Sequence, residues 1–159
     1  MSSIYLNAAV WLSGATGAWG QEFARQLLKK DIGKLVLYAR GEHRAYDMAT
    51  HLADSRVRVH LGDIRSRDIL QHSLSRTDIV VHLAALKRVD MFTYSPGEIT
   101  NVNIDGTRAV IDTILDLPKG RQPERCLYLS SDKAAMPTTF YGATKFVAEE
   151  LWLGANMHS

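Results

Sequence analysis

Short apolar runs alternate along this chain with longer segments in which apolar side chains recur every three or four positions. Ala9-Val10-Trp11-Leu12-Ser13 reads as a buried strand. The segment beyond it sets Phe23, Ala24, Leu27 and Leu28 on one stripe, with Gln21, Glu22, Arg25, Lys29 and Lys30 mostly elsewhere, the pattern of an amphipathic helix. Further strands are predicted over Lys34–Ala39, over the alternating Val57–Leu61, over 78–83 and over 126–130. Between the last two, Ile99, Val102, Gly106, Ala109, Val110, Ile114 and Leu117 keep helical spacing up to Pro118-Lys119-Gly120. Helical spacing returns after residue 139. Strand and helix thus alternate throughout, which implies an α/β fold: a doubly wound parallel sheet with right-handed crossovers and helices on both faces.

Composition narrows the class. A chain of 159 residues, 46% hydrophobic, is expected to form one domain spanning 1–159. No apolar run approaches the roughly 18 residues that cross a bilayer. The opening Met-Ser-Ser-Ile-Tyr-Leu-Asn lacks the features of a secretory signal, so a cytoplasmic protein is expected. The single cysteine, Cys126, falls in a predicted strand and reads as a core residue in a reducing compartment. A net charge of +2 is too small to argue for nucleic acid, and the basic run 119–125 reads as a solvated loop. Six histidines without metal-ligand spacing predict no metal site. Trp11 and Trp152 read as core or partner-facing aromatics, and His82 as a polar residue near a strand end.

Candidate chemistry begins where the first strand runs into Gly14-Ala15-Thr16-Gly17-Ala18-Trp19-Gly20. Glycines at three-residue spacing between strand and helix permit a tight turn and close approach of a pyrophosphate, with the helix N-terminus aimed at it. A glycine-rich turn without a ligand is the competing reading of the loop alone. The absence of a following Gly-Lys-Ser or Gly-Lys-Thr argues against a nucleoside-triphosphatase loop. The second strand ends at Arg40, with Arg44 one turn on. Basic residues there suit a ribose 2′-phosphate and favour NADP over NAD, with Glu42 close by on the other side of the account. Gly62-Asp63-Ile64 follows the third strand: Asp63 could accept from an adenine amino group and Ile64 pack on the base, or the pair could simply be a turn. Ala84 and Ala85 after the fourth strand are small enough for a cofactor backbone to pass.

After the fifth strand, residues 130–145 read Ser-Ser-Asp-Lys-Ala-Ala-Met-Pro-Thr-Thr-Phe-Tyr-Gly-Ala-Thr-Lys. Tyr141 and Lys145 are four apart and share a helix face. An ammonium near a phenol favours the phenolate, lowering a pKa of about 10.

With these motifs in place the chain resembles an extended short-chain dehydrogenase/reductase, and more narrowly the polysaccharide-biosynthesis group typified by UDP-N-acetylglucosamine 4,6-dehydratases. Ser13 to Gly20, Gly62-Asp63 and the Tyr141/Lys145 pair carry the general likeness. The group is indicated by His82-Leu83-Ala84-Ala85-Leu86-Lys87, by Tyr94-Ser95-Pro96-Gly97-Glu98 with Asn103 and Gly106, and above all by Ser131-Asp132-Lys133-Ala134 with Pro137. The resemblance implies an NAD(P)-binding Rossmann fold. It places NADP against Gly14, Thr16, Gly17, Ala18, Trp19, Gly20, Arg40, Arg44, Asp63, Ile64, Ala84, Ala85, Tyr141 and Lys145. Lys87 and Asn103 would face a nucleotide-sugar, a UDP-N-acetylhexosamine by analogy.

It also implies a redox cycle. Tyr141, assisted by Lys145 and Ser131, takes the proton of the sugar 4-hydroxyl while hydride passes from C4 to NADP⁺. Lys133 then removes the acidified C5 proton, Asp132 protonates the departing 6-hydroxyl, and hydride returns to C6. As a base near neutral pH, Lys133 needs burial in a closed pocket, since its pKa must fall by about 3 units. Relatives continue well beyond the helix that bears Tyr141. The chain is therefore expected to be truncated before the last strands and the substrate domain, leaving a homo-oligomer or a complementing C-terminal partner open. A cofactor-binding module without turnover, or a related epimerase or reductase, is the alternative. Asp90, Thr93 and Trp19 depart from the family's usual residues.

Overall fold

The computed structural model describes residues 4–87 and 94–156; Asp90 and Thr93 lie outside them. In chain order the elements are β1 (Ala9–Ser13), α1 (Ala18–Leu28), β2 (Lys34–Ala39), α2 (Glu42–Leu52), β3 (Val57–Leu61), α3 (Arg67–Leu74), β4 (Ile79–His82) and α4 (Pro96–Thr100). A π-helical turn (Asn101–Asp105) joins α4 to α5 (Gly106–Leu115), and β5 (Arg125–Tyr128), a 3₁₀ turn (Asp132–Ala134) and α6 (Phe140–Ala155) follow. The strands stand in the order β3-β2-β1-β4-β5 with every neighbouring pair parallel. This is the doubly wound sheet that the alternation predicts. The first three strands keep their expected bounds. The fourth loses a residue at each end, and the fifth begins at Arg125 and stops at Tyr128.

Side-chain alternation explains the layers. On one face Val10, Leu12, Leu35, Leu37, Ile79 and Val81 pack with Ala24 and Leu27 of α1 and Met48 of α2. On the other, Trp11, Val36 and Val80 meet Leu70 and Leu74 of α3 and Ala109 and Val110 of α5. Strands covered on both faces need apolar side chains in both registers, so β1, β2 and β4 read as continuous apolar runs. Each large side chain so buried contributes roughly 1.5–3 kcal/mol.

Two expectations change at the β5 edge and on the long helix. Cys126 is exposed, as are Arg125 and Leu127, so the cysteine is not a core residue. Its strand lies at the end of the sheet with β4 on one side and no described strand on the other. The single helix expected from Ile99 to Leu117 is interrupted by the π turn, which draws Asn103 into the interior.

His82, expected as a polar strand-end residue, closes β4 with no exposed surface. Ser13 Oγ accepts from the amides of Leu83 and Ala84 at 3.2 and 3.3 Å, so its hydroxyl donates to His82 Nδ1 at 2.6 Å. The imidazole proton then sits on Nε2 and is donated to Thr107 Oγ1 at 3.0 Å, whose own hydroxyl donates to the Asn103 carbonyl at 2.8 Å. Tyr128 and Trp152 flank the ring at centroid distances of 5.7 Å each. Burial, with the Lys145 charge adding to it, pushes the imidazole down to about 3.

A His82→Phe variant keeps an aromatic ring but deprives the Ser13 hydroxyl proton of its acceptor and Thr107 Oγ1 of its imidazole donor. It is expected to lose about 2–4 kcal/mol in urea denaturation at neutral pH. Because the folded imidazole titrates far below its unfolded counterpart, its stability contribution is complete above about pH 6.5 and is lost as pH falls toward 3. That acid-linked loss should be absent from the variant.

Candidate functional site

The sheet order reverses between β1 and β4, whose following helices pack on opposite faces, and a crevice opens at the carboxyl ends of those strands. A cavity of about 1070 Å³ occupies it. One end is bordered by Gly14, Thr16, Gly17, Ala18, Trp19 and Gly20, the middle by Ala84 and Ala85, and the other end by Ser131, Lys133, Tyr141 and Lys145. The two motifs that lie furthest apart in sequence thus border one cleft.

The glycine loop owes its shape to contact with β4. Gly14 has φ +67°, and a Cβ there would stand 2.7 Å from the Ala84 nitrogen. A side chain would force β1 and β4 apart at the floor of the cleft. The 11-residue helix α1 begins at Ala18 with no side chain capping it, leaving its first amides available to an anion. Trp19 is 71% exposed at the cleft mouth. These features fit a dinucleotide pyrophosphate: a tight turn, free amides and a groove of suitable size.

Arg40 and Arg44 border the cleft beyond β2, and Lys87 borders it beyond β4. Asp63 borders it too, but its carboxylate is clasped by Arg65, which holds it below the usual carboxylate range. Ile64 is buried against Gly106, where a Cβ would meet its Cγ2 at 2.5 Å. Asn103, expected toward substrate, is 1% exposed and committed within the protein. Its Oδ1 accepts from the Leu86 amide at 2.7 Å, and its Nδ2 donates to the Leu86 carbonyl and to Thr144 Oγ1 at 3.0 Å each. It grips the loop after β4 and docks α6.

At the far end, Thr139 caps α6 by accepting from the Gly142 amide at 3.1 Å. Gly142 allows the first turn of α6 to touch the 3₁₀ turn, since a Cβ there would lie 2.2 Å from the Lys133 carbonyl oxygen. That contact brings Tyr141 alongside the 131–133 segment. Lys145 is 2% exposed, donates to the Leu129 carbonyl at 2.6 Å and lies 4.1 Å from the Tyr128 ring centroid. Burial lowers its ammonium to about 8, against the opposing pull of Glu149.

Lys133 and Asp132 differ from expectation. The Lys133 side chain is 57% exposed and stands 3.4 Å from Asp132, so the described residues do not give it the burial its base role demands. Asp132 is 86% exposed and does not border the cavity; the Ser131 hydroxyl, then Lys133, hold its carboxyl low. Ser131 also caps the turn, accepting from the Lys133 amide at 3.3 Å. Sequence reasoning missed Arg65, its pairing at 2.9 Å with Glu98, which the sequence presents only as part of the Tyr94–Glu98 run, and the cap Thr139. The Thr-x-x-Gly start of α6 was a readable signal for the cap; nothing local announces a pair 33 residues apart.

The family described as polysaccharide biosynthesis protein matches residues 10–159. An uncharacterised membrane protein of Methanocaldococcus jannaschii is 31% identical over 99% of this chain and 46% of its own length. The UDP-N-acetylglucosamine 4,6-dehydratase (inverting) of Campylobacter jejuni is 32% identical over 92% of this chain and 43% of its own length. The UDP-glucose 4-epimerase of Rickettsia prowazekii is 27% identical over 93% and 43%. The X-ray structure of Pen from Bacillus thuringiensis superposes with a TM-score of 0.89 at 29% identity, covering 97% of this chain and 47% of that one. The chain thus spans less than half the length of these relatives. Among the described residues no helix is long and apolar enough to cross a membrane.

The Lys145 environment has a pH signature. The folded ammonium titrates near 8 and the unfolded one near 10.5, so the contribution is complete above the higher value and is lost as pH falls toward the lower. Relative to Lys145→Met, the wild type should gain about 2 kcal/mol in urea denaturation between roughly pH 7.5 and 9.5.

Proposed function

The chain belongs to the polysaccharide biosynthesis protein family, matched over 10–159, and from that premise we propose that it is the cofactor-binding and proton-transfer portion of an NADP-dependent nucleotide-sugar 4,6-dehydratase acting on a UDP-N-acetylhexosamine. The observation that carries this reading is the single cleft bordered by the glycine loop, by Arg40 and Arg44, and by Tyr141 and Lys145. A nicotinamide bound there would accept a hydride from the sugar and return it.

The chain's own residues handle binding and protons. The loop and the α1 N-terminus receive the pyrophosphate, and Arg40 and Arg44 receive the ribose 2′-phosphate. Tyr141 removes the proton of the sugar 4-hydroxyl, with the Lys145 charge one helical turn away and the Ser131 hydroxyl at the cleft wall. The resulting ketone makes the neighbouring C5 hydrogen acidic. Lys133 then takes that proton and Asp132 delivers one to the departing 6-oxygen, once substrate or further protein has covered both. Positioning and exclusion of water are what such chemistry needs beyond the residues themselves.

The exposure of Lys133 favours a second reading, a cofactor-binding module without turnover at this chain length. A 4-epimerase is the other alternative, since its chemistry needs Tyr141 and Lys145 but no base at Lys133.

Incubation with NADP⁺ and UDP-N-acetylglucosamine is expected to yield a 4-keto-6-deoxy sugar nucleotide, detected by mass spectrometry as loss of water. A folded sample that binds NADP⁺ and forms no such product refutes turnover by this chain. Tyr141→Phe should lower turnover by about 10²–10⁴-fold with cofactor affinity nearly unchanged. Lys133→Met should block loss of water while leaving exchange of the sugar C4 hydrogen with the cofactor; loss of both together would remove Lys133 from the C5 step.

A further inference from the structure

Four charged side chains from three segments form one chain beside the adenosine end of the cleft. Arg65 clasps Asp63, its Nε and backbone amide donating to Oδ1 at 2.8 and 3.0 Å and its Nη2 to Oδ2 at 2.6 Å. Its remaining terminal nitrogen, Nη1, donates to Glu98 Oε2 at 2.9 Å. The other oxygen of Glu98 stands 3.6 Å from Arg40 Nη1. Arg40 borders the cleft, whereas Arg65 and Glu98 do not. Glu98 itself sits in the first turn of α4, the helix that follows β4 in the chain, whereas Arg40 follows β2.

The two halves of this chain are not equivalent. Asp63, Arg65 and Glu98 are joined by short, partly buried, charge-assisted bonds, so the Glu98 carboxylate has a fixed position. The Arg40 end is long and its side chain is 65% exposed, a pairing of little strength that an incoming anion can displace. An anion drawn to Arg40 therefore arrives beside a carboxylate that cannot retreat. A phosphate monoester carrying close to two charges feels that field, and an uncharged ribose hydroxyl does not. Glu42 also borders the cleft, but among the described residues no ion pair joins it to Arg40.

We propose that Glu98 is a selectivity-determining residue for the 2′ position of the adenosine ribose, tempering the phosphate preference set by Arg40 and Arg44. The inference rests on the dinucleotide reading of the cleft and concerns a residue that does not itself border the cleft. Glu98 acts through Arg40 and through its own charge; it is a positioning and electrostatic residue, not a catalytic one.

Calorimetric binding of adenosine 2′,5′-bisphosphate and of 5′-AMP at low salt tests it without any turnover. Glu98→Gln is expected to tighten the bisphosphate by about threefold, the scale of an exposed ion pair, and to leave 5′-AMP nearly unchanged. The gain should fade at high salt, where surface charges are screened. If both nucleotides bind the wild type and the bisphosphate binds the variant no better, the selectivity role is overturned and the dinucleotide reading stands. If neither nucleotide binds the wild type, both fall together. Circular dichroism establishes folding of the variant. Should Glu98→Gln fail to fold, Glu98→Asp, which draws the carboxylate back by one methylene, must move the ratio of the two affinities in the same direction or the proposal fails.

Discussion

A buried line of hydrogen bonds holds the cleft in shape. It runs from Ser13 at the end of β1, through His82 at the end of β4 and Thr107 on α5, to Asn103 in the π turn, and from there to Leu86 and Thr144. Thr144 in turn donates to the Tyr141 carbonyl at 2.8 Å. Each donor has an acceptor, so the line carries polar groups through an apolar interior without an unpaired atom, the condition under which such a network is tolerated. Its geometry relates the glycine loop, the loop after β4 and the helix bearing Tyr141 and Lys145. The relative placement of the two ends of the cleft therefore depends on groups that face no ligand at all.

Most of the sheet was legible because its signals are local. Val10, Leu12 and Trp11 alternate between two apolar faces, and a strand covered on both sides must be apolar in both registers. The glycine loop was legible because a left-handed Gly14 and its contact with Ala84 leave no room for another residue. The failures share a different cause. Cys126 looks like a core residue in a short apolar run, yet exposure is decided by which element lies beside β5, and that is not written in the run itself. Asn103 reads as a polar group near the site, and only the π turn reveals that it points inward. The Arg65–Glu98 pair and the exposure of Lys133 are products of tertiary placement.

Charge at the two ends of the cleft is organised in opposite ways. Near β2 and β3 the charges compensate one another, with Arg40, Asp63, Arg65 and Glu98 alternating in sign. Near α6 a buried ammonium, Lys145, rests on a carbonyl and an aromatic face, with Glu149 as the carboxylate whose pull opposes its burial. The first end is a neutralised surface that can be rearranged by an anion. The second is a pre-formed, desolvated cation whose position is set before any ligand arrives.

The π turn also sets a register. A regular α-helix turns about 100° per residue, and a π turn takes up about one residue more than α geometry does. Were the same residues wound as regular α-helix, everything after 105 would swing by roughly that angle. Ala109 and Val110 would leave the face that meets Trp11 and Val80, and Thr107 would leave His82. The wide turn thus phases the helix that follows, letting one stripe of α5 meet the sheet while Thr107 stays beneath the imidazole.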